Sequence, residues 1–327
     1  YLRAKEDYLM GINFSRVLTL KYGPSVASYM REKRAVLSVG RVMTCVLGMI
    51  VRREREIRQF VKMPFYRVLS SMVCGESTIE GEFRAVKGSA YFQSPKLYKE
   101  NGFSHKEDAK ELIEKLSNPK PVQAVIEKLE RKKENKNPPL LYNLAELQND
   151  CSKRYKISPD ETLKIVQELY EKKLVTYPRT DSQYLTDEMG ESTETLIQML
   201  LGKMPYAEGL EYQPDVSKVL NSKKVSDHHA IIPTMEVAKA DIGELKERNR
   251  KILYLISARV LTATADPYIY ESHKCQITCN YHTFYLTAKK TKQEGFKAIE
   301  NKLKQFFGVK IEKEEPELDI WAGKHYG

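Results

Sequence analysis

The sequence predicts a multidomain α+β protein, mostly helical, in which a β domain is interrupted by a helical insertion. Three observations predict it. The chain has 327 residues, enough for about two or three domains, and its 41% apolar and 30% charged residues favour several small domains over one large core. Strand-like runs occur before residue 120 and after residue 266, with helical periodicity between them. Charge is uneven: residues 1–64 hold 13 Lys/Arg against 5 Asp/Glu, which is +8 of the chain's +10. A basic segment joined to a near-neutral body is the footprint of a polyanion site. Anionic lipid fits less well, because no amphipathic anchor with exposed aromatics accompanies the charge.

Several classes are excluded. With 20 Tyr and 10 Phe the chain is too rich in core formers to be disordered. Its longest nearly apolar stretch, Val42 to Val51, is too short for a membrane span. No signal peptide is expected, and the first residue, Tyr1, reads as a cut edge. Five cysteines suggest reduced thiols and a cytoplasmic setting.

Taken in order, residues 1–64 read as a helical segment. A first helix spans 2–22, and in a second, Val42, Cys45, Val46, Met49 and Ile50 form one apolar stripe, with Arg52, Arg53, Arg55 and Arg58 in its last turns. Residues 65–134 read as the first part of a β domain: Phe65–Val73, Thr78–Val86 and Ser89–Phe92 alternate between Gly75, Gly81 and Gly88. Ser104 with Glu107 predicts a capped helix through Leu116. The Pro-, Lys- and Glu-rich run 117–139, with Pro119, Pro121, Pro138 and Pro139, reads as a hinge. Residues 135–265 read as a helical domain. Asn143 with Glu146 starts one helix, and Ser158 with Pro159 and Glu161 starts another that buries Leu163, Val166, Leu169 and Tyr170. Leu174–Tyr177 reads as a short strand, and 185–264 as helices broken around Gly202–Pro214. Residues 266–327 return to strands.

One run carries chemistry: Tyr177-Pro178-Arg179-Thr180-Asp181-Ser182. In extended chain Tyr177 and Arg179 share a face and can both meet one phosphate. A phenol with a pKa of about 10 is a weak nucleophile at neutral pH; a guanidinium beside it favours the phenolate and stabilises charge on pentacovalent phosphorus. Thr180, Asp181 and Ser182 can orient the pair or cap the next turn. About fifty residues on, Asp227-His228-His229 precedes an Ala-Ile-Ile-Pro-Thr run, where one ring can serve a phosphate.

These runs, with Ser38-Val39-Gly40-Arg41-Val42 upstream, resemble the type IA DNA topoisomerases, and among them the topoisomerase III branch. The resemblance covers nearly the whole chain and implies part of a toroidal core. It implies Tyr177 as nucleophile, Arg179 as its phosphate partner and His228 as the active-site histidine. Arg3, Ser38, Arg41, Thr180 and Asp181 match DNA contacts, while Met43 stands where the family has Gln. The implied reaction is ATP-independent cleavage of one strand through a 5′-phosphotyrosine, strand passage and religation. Its partners are single-stranded and negatively supercoiled or catenated DNA, and the protein is expected to be a monomer away from any membrane. The sequence has no P-loop. The family's Mg²⁺ is expected in an acidic module before Tyr1, not in these residues, where no D-x-D run occurs.

Three other readings stand beside this one. A non-catalytic single-strand-binding fragment would explain the charge without Tyr177. A tyrosine recombinase would place its tyrosine after the Arg–His residues. A zinc site at His273, Cys275, Cys279 and His282 is disfavoured by spacing and by strand-like alternation, so no metal ligands are assigned in this chain.

Overall fold

The computed structural model describes residues 2–74, 77–118, 123–211, 213–310 and 325–326. The chain forms two compact units, Tyr1–Pro64 and Phe65–Gly327.

In the first unit, α1 (Leu2–Met30) continues eight residues past its expected end, with Pro24 inside it. Left-handed Arg31 ends it, and extended chain then runs back along the helix. That return is seated on every fourth residue of α1. Val39 N–H donates to Ser15 Oγ at 2.8 Å and Leu37 N–H to Thr19 Oγ1 at 2.9 Å. At Gly23 an added Cβ would lie 3.0 Å from the Ala35 carbonyl, and at Gly11 3.4 Å from that of Val39. Gly11, Ser15, Thr19 and Gly23 therefore form a small-residue stripe along one ridge of the helix. α2 (Arg41–Arg58) follows, and none of its residues is buried; its apolar stripe lies at the surface.

The second unit is built on a sheet of order β1-β2-β7-β6-β5-β8, antiparallel throughout. Its strands are β1 (Leu69–Cys74), β2 (Ser77–Phe83), β5 (Ala124–Lys136), β6 (Tyr268–Cys279), β7 (His282–Gln293) and β8 (His325–Tyr326); β3 (Leu97–Lys99) and β4 (Gly102–Phe103) make a separate hairpin. β5 and β6 pair along their length, although 131 residues lie between Lys136 and Tyr268, and their regular elements are helices and 3₁₀ turns. The expected helical insertion into a β domain is thus observed. α3 (Lys106–Leu116) covers the sheet through Ala109, Leu112 and Leu116, in a core with Phe83, Phe103, Ile126 and Phe284.

The insertion has its own core. α4 (Leu144–Tyr155), α5 (Pro159–Glu171) and α6 (Gly190–Lys203) surround α7 (Glu247–Ala263), which is buried on most sides. α8 (Phe296–Phe306) adds Phe296, Ile299 and Leu303 to this helical core, so helix resumes after the second group of strands.

Several local expectations are corrected. The supposed hinge 117–139 contains the 13-residue strand β5; Pro119 and Pro121, like Gly75, lie outside the described residues. His105, not Ser104, caps α3, and no side chain closes that end. Ser89–Phe92 is turn rather than strand. Leu174–Tyr177 makes only a single bridge, Val175 to Pro233. Among the described residues of 205–244 there are short 3₁₀ turns and no α-helix. The Asn143 and Ser158 caps form as expected, accepting from the N–H of Glu146 and Glu161. On α5, however, Ile165 joins Val166 and Leu169 inside, while Tyr170 is 38% exposed.

Candidate active site

The tyrosine motif starts where α5 stops. Left-handed Lys173 turns the chain, and Leu174 N–H closes back on the Leu169 carbonyl at 2.9 Å. The motif then runs beside residues 224–234, joined to them by a ladder of polar contacts. Thr176 N–H donates to the Ile232 carbonyl at 2.9 Å. Its hydroxyl donates to the Ala230 carbonyl and accepts from Ile232 N–H. The Thr180 hydroxyl donates to the His228 carbonyl at 2.9 Å and accepts from Ser182 N–H. Ser182 donates to the Lys224 carbonyl. Thr180 and Ser182 are buried, which suits hydroxyls whose hydrogen bonds are satisfied.

This ladder brings together side chains far apart in sequence. The rings of Tyr177 and His228 lie 4.4 Å apart, tilted by 46°. Tyr170 of α5 meets Tyr177 edge-on, with centroids 5.5 Å apart at 77°. Arg179 donates to Gln167 of α5 at 3.1 Å. Gln167 and Tyr170 are three residues apart and share a helix face, so one side of α5 backs both Tyr177 and Arg179. Asp181 turns instead to Ser226, 3.4 Å away, and its carbonyl accepts from Asn143. His229, the neighbouring ring, contacts the Ala230 carbonyl through Nδ1. Sequence reasoning missed Gln167 and misplaced Tyr170 in the core; the signal was the i, i+3 spacing of two polar-tipped side chains beside the Ile165–Val166–Leu169 stripe.

The remaining expected DNA contacts lie in the first unit. Arg3 is exposed in the first turn of α1, and Ser38 is exposed between Leu37 and Val39. Arg41 is already engaged: Nε and Nη2 donate to Asp7 at 2.5 and 3.0 Å, and Nη1 lies 4.0 Å from Glu6. The hydrogen bond from Arg41 holds the Asp7 carboxyl below its usual range.

Among the described residues, no three His, Cys, Asp or Glu side chains group to hold a metal ion. Cys275 and Cys279 lie in the sheet core, and the His282 ring packs against Phe83 and Tyr91. His273 is buried 3.4 Å from Glu271. Among the same residues, no helix is long and apolar enough to cross a membrane.

Comparison with known proteins identifies the family. A family model described as DNA topoisomerase matches residues 1–318. The DNA topoisomerase 3 of Staphylococcus haemolyticus is 33% identical over 91% of this chain and 38% of its own length. That of Staphylococcus aureus strain MRSA252 is 34% identical with the same coverage. The chain thus spans well under half the length of these relatives. Full-length topoisomerase I from Thermotoga maritima shares the fold over 99% of this chain and 47% of its own, with a TM-score of 0.63 and 24% identity. The chain belongs to the DNA topoisomerase family, as a type IA, topoisomerase III-like member.

Proposed function

We propose that this chain carries the strand-cleaving tyrosine of a type IA topoisomerase and that Tyr177 is the nucleophile. The observation that carries the proposal is the Tyr177–His228 ring pair, 4.4 Å apart, in a motif that also contains Arg179. The Tyr177 oxygen attacks a phosphodiester of single-stranded DNA, its proton leaves, and an O–P bond to the 5′ side forms. The bond to the 3′ oxygen breaks, and that oxygen takes up a proton. Religation reverses each transfer, so no ATP is consumed. Arg179, steadied by Gln167, offers a fork to the non-bridging oxygens. His228 limits the movement of the phenol ring and presents a proton-carrying group beside it. Thr180 acts through the His228 backbone, and Asp181 positions Ser226.

Residues 1–64 are proposed to bind the substrate strand through Arg3, Ser38 and Arg41, with Arg41 Nη1 as the donor left for phosphate. We assign residues 65–134 and the strands β6 and β7 to the β-rich arch, and 135–265, joined by α8, to the tyrosine-bearing domain. Negatively supercoiled or catenated DNA is the substrate of the whole protein, acting as a cytoplasmic monomer. The residues described here do not fit Mg²⁺: Asp181 is committed to Ser226, and no group of acids converges near Tyr177. The proposed steps therefore use only the side chains named above.

The test is Tyr177→Phe in the protein extended to the full span of its relatives. The covalent adduct with labelled single-stranded DNA should vanish, while single-strand binding stays within a few-fold. Relaxation of supercoiled DNA by the Phe variant would refute the assignment, and an adduct through a 3′-phosphate would point to a recombinase.

A further inference from the structure

We infer that the outer end of the sheet is a separate surface for single-stranded nucleic acid; this rests on the reading that the chain acts on DNA. The surface is formed by residues 128–136 of β5, 268–274 of β6 and 287–293 of β7. These segments hold nine Lys/Arg against three Glu, whereas the rest of residues 65–327 holds 32 against 36. The near-neutral body therefore has a basic sheet end, net +6 over both faces within a unit that is otherwise net −4, and one face of it holds Lys128, Lys132, Lys136, Lys274 and Lys289 against Glu130 and Glu134.

Strand register decides how the charge is displayed, because directly opposed residues share a face. One face carries Lys132, Ser272 and Lys289 in a row, followed by Glu134, Tyr270 and Thr291, then Lys136 and Tyr268. Lys274 lies on this face as well, opposite Glu130 and Thr287. On the other face His273 and Ala288 turn into the protein, whereas Lys132, Lys136, Lys274 and Lys289 on the first are exposed. Each acid already has a lysine: Glu130 pairs with Lys128 at 2.5 Å, Glu134 with Lys132 at 3.0 Å and Glu271 with Lys292 at 3.3 Å.

Lysines on exposed strand edges also discourage edge-to-edge pairing, and that would account for those of β5 and β7. It does not account for the centre strand. There Tyr268 and Tyr270 stack with centroids 5.0 Å apart at 25°, and Lys289 Nζ lies 5.5 Å from the Tyr270 ring. Aromatic faces among cations, with few groups able to read base edges, form a stacking platform for a strand with unpaired bases. A duplex offers phosphates but no open base faces, so the tyrosines favour the single strand.

The test uses the 327-residue protein and fluorescent oligonucleotides, single-stranded and duplex, titrated across salt. The fourfold variant Lys132→Gln, Lys136→Gln, Lys274→Gln, Lys289→Gln should reduce the slope of log affinity against log salt by about 2 to 3 for the single strand, at roughly 0.7 per lost contact. Tyr270→Ala should weaken single-strand binding about tenfold without changing that slope. Arg52→Gln with Arg53→Gln, in the first unit, is the parallel control. If only this control loses binding, the sheet surface is wrong and the DNA reading stands. If the wild-type chain binds neither oligonucleotide, both fall. An equal loss for duplex with no effect of Tyr270→Ala would overturn the single-strand assignment. Equal competition by polyglutamate would mark a general anion surface and overturn it too. Circular dichroism on each variant ensures that lost binding is not lost fold.

Discussion

At the scale of the residue, Tyr177 is constrained from two sides, by the Tyr170 edge and the His228 ring. An edge-to-face aromatic pair contributes about 0.5–1.5 kcal/mol beyond its buried area. If that contact holds the phenol in its attacking position, Tyr170→Ala should slow adduct formation by about two- to tenfold at saturating DNA. Tyr170→Phe should restore the rate, since the ring and not the hydroxyl makes the contact. Single-turnover adduct kinetics read this directly, and an Ala variant as fast as wild type would remove Tyr170 from the site. The tyrosine motif was legible in the sequence because its chemistry is local: Tyr177, Arg179 and the hydroxyls lie within six residues. The partners on α5 were not legible, because only folding brings Gln167 to Arg179. Tyr170 was misread because it directly follows buried Leu169, and one residue turns the helix by about 100°.

At the scale of the element, the motif depends on the short segment before α4. Tyr142 accepts from Ile231 N–H, and Leu144 N–H donates to the Thr180 carbonyl, so residues 142–144 join both halves of the site. That segment is fixed by a cluster of polar side chains. Asp150 of α4 accepts from Tyr142 at 2.5 Å and from Arg259 of α7 at 2.7 Å. The Arg259 guanidinium also lies 3.9 Å from the Tyr142 ring centroid. Asp150 and Arg259 side chains are only 16% and 14% exposed, so removing one strands a largely buried charge. Asp150→Ala should destabilise the protein by roughly 3 kcal/mol, measured by urea unfolding, and a loss below about 1 kcal/mol would show the pair to be effectively solvated. Among the elements, α4 and α5 were legible because their caps lie within four residues of the helix start. β5 was hidden because a strand exposed along most of its length needs no apolar alternation; its Lys- and Glu-rich sequence resembles a linker.

At the scale of the whole molecule, the two units differ in how they are held. α7 buries 12 of its 17 residues, whereas α2 buries none and α1 only Gly23 and Ala27. Opening free energies follow buried contacts, so amides of α2 should exchange at least about 100-fold faster than those of α7 by hydrogen-exchange mass spectrometry. Comparable protection in both would show that α2 draws stability from more than its own helix. The insertion of helices into a sheet was legible from the placement of alternating runs, but the stripe on α1 was not, because small residues carry no hydrophobic period. Its geometry works as a vernier. Four helical residues advance about 6.0 Å and two strand residues about 6.6 Å, so the returning chain and the helix stay in step from Gly23 to Gly11. A slip of one notch would bring the Val39 N–H to Gly11, which has no hydroxyl to receive it. With so little apolar surface buried, the unit's alignment is set by where acceptors are missing as much as by where they are present.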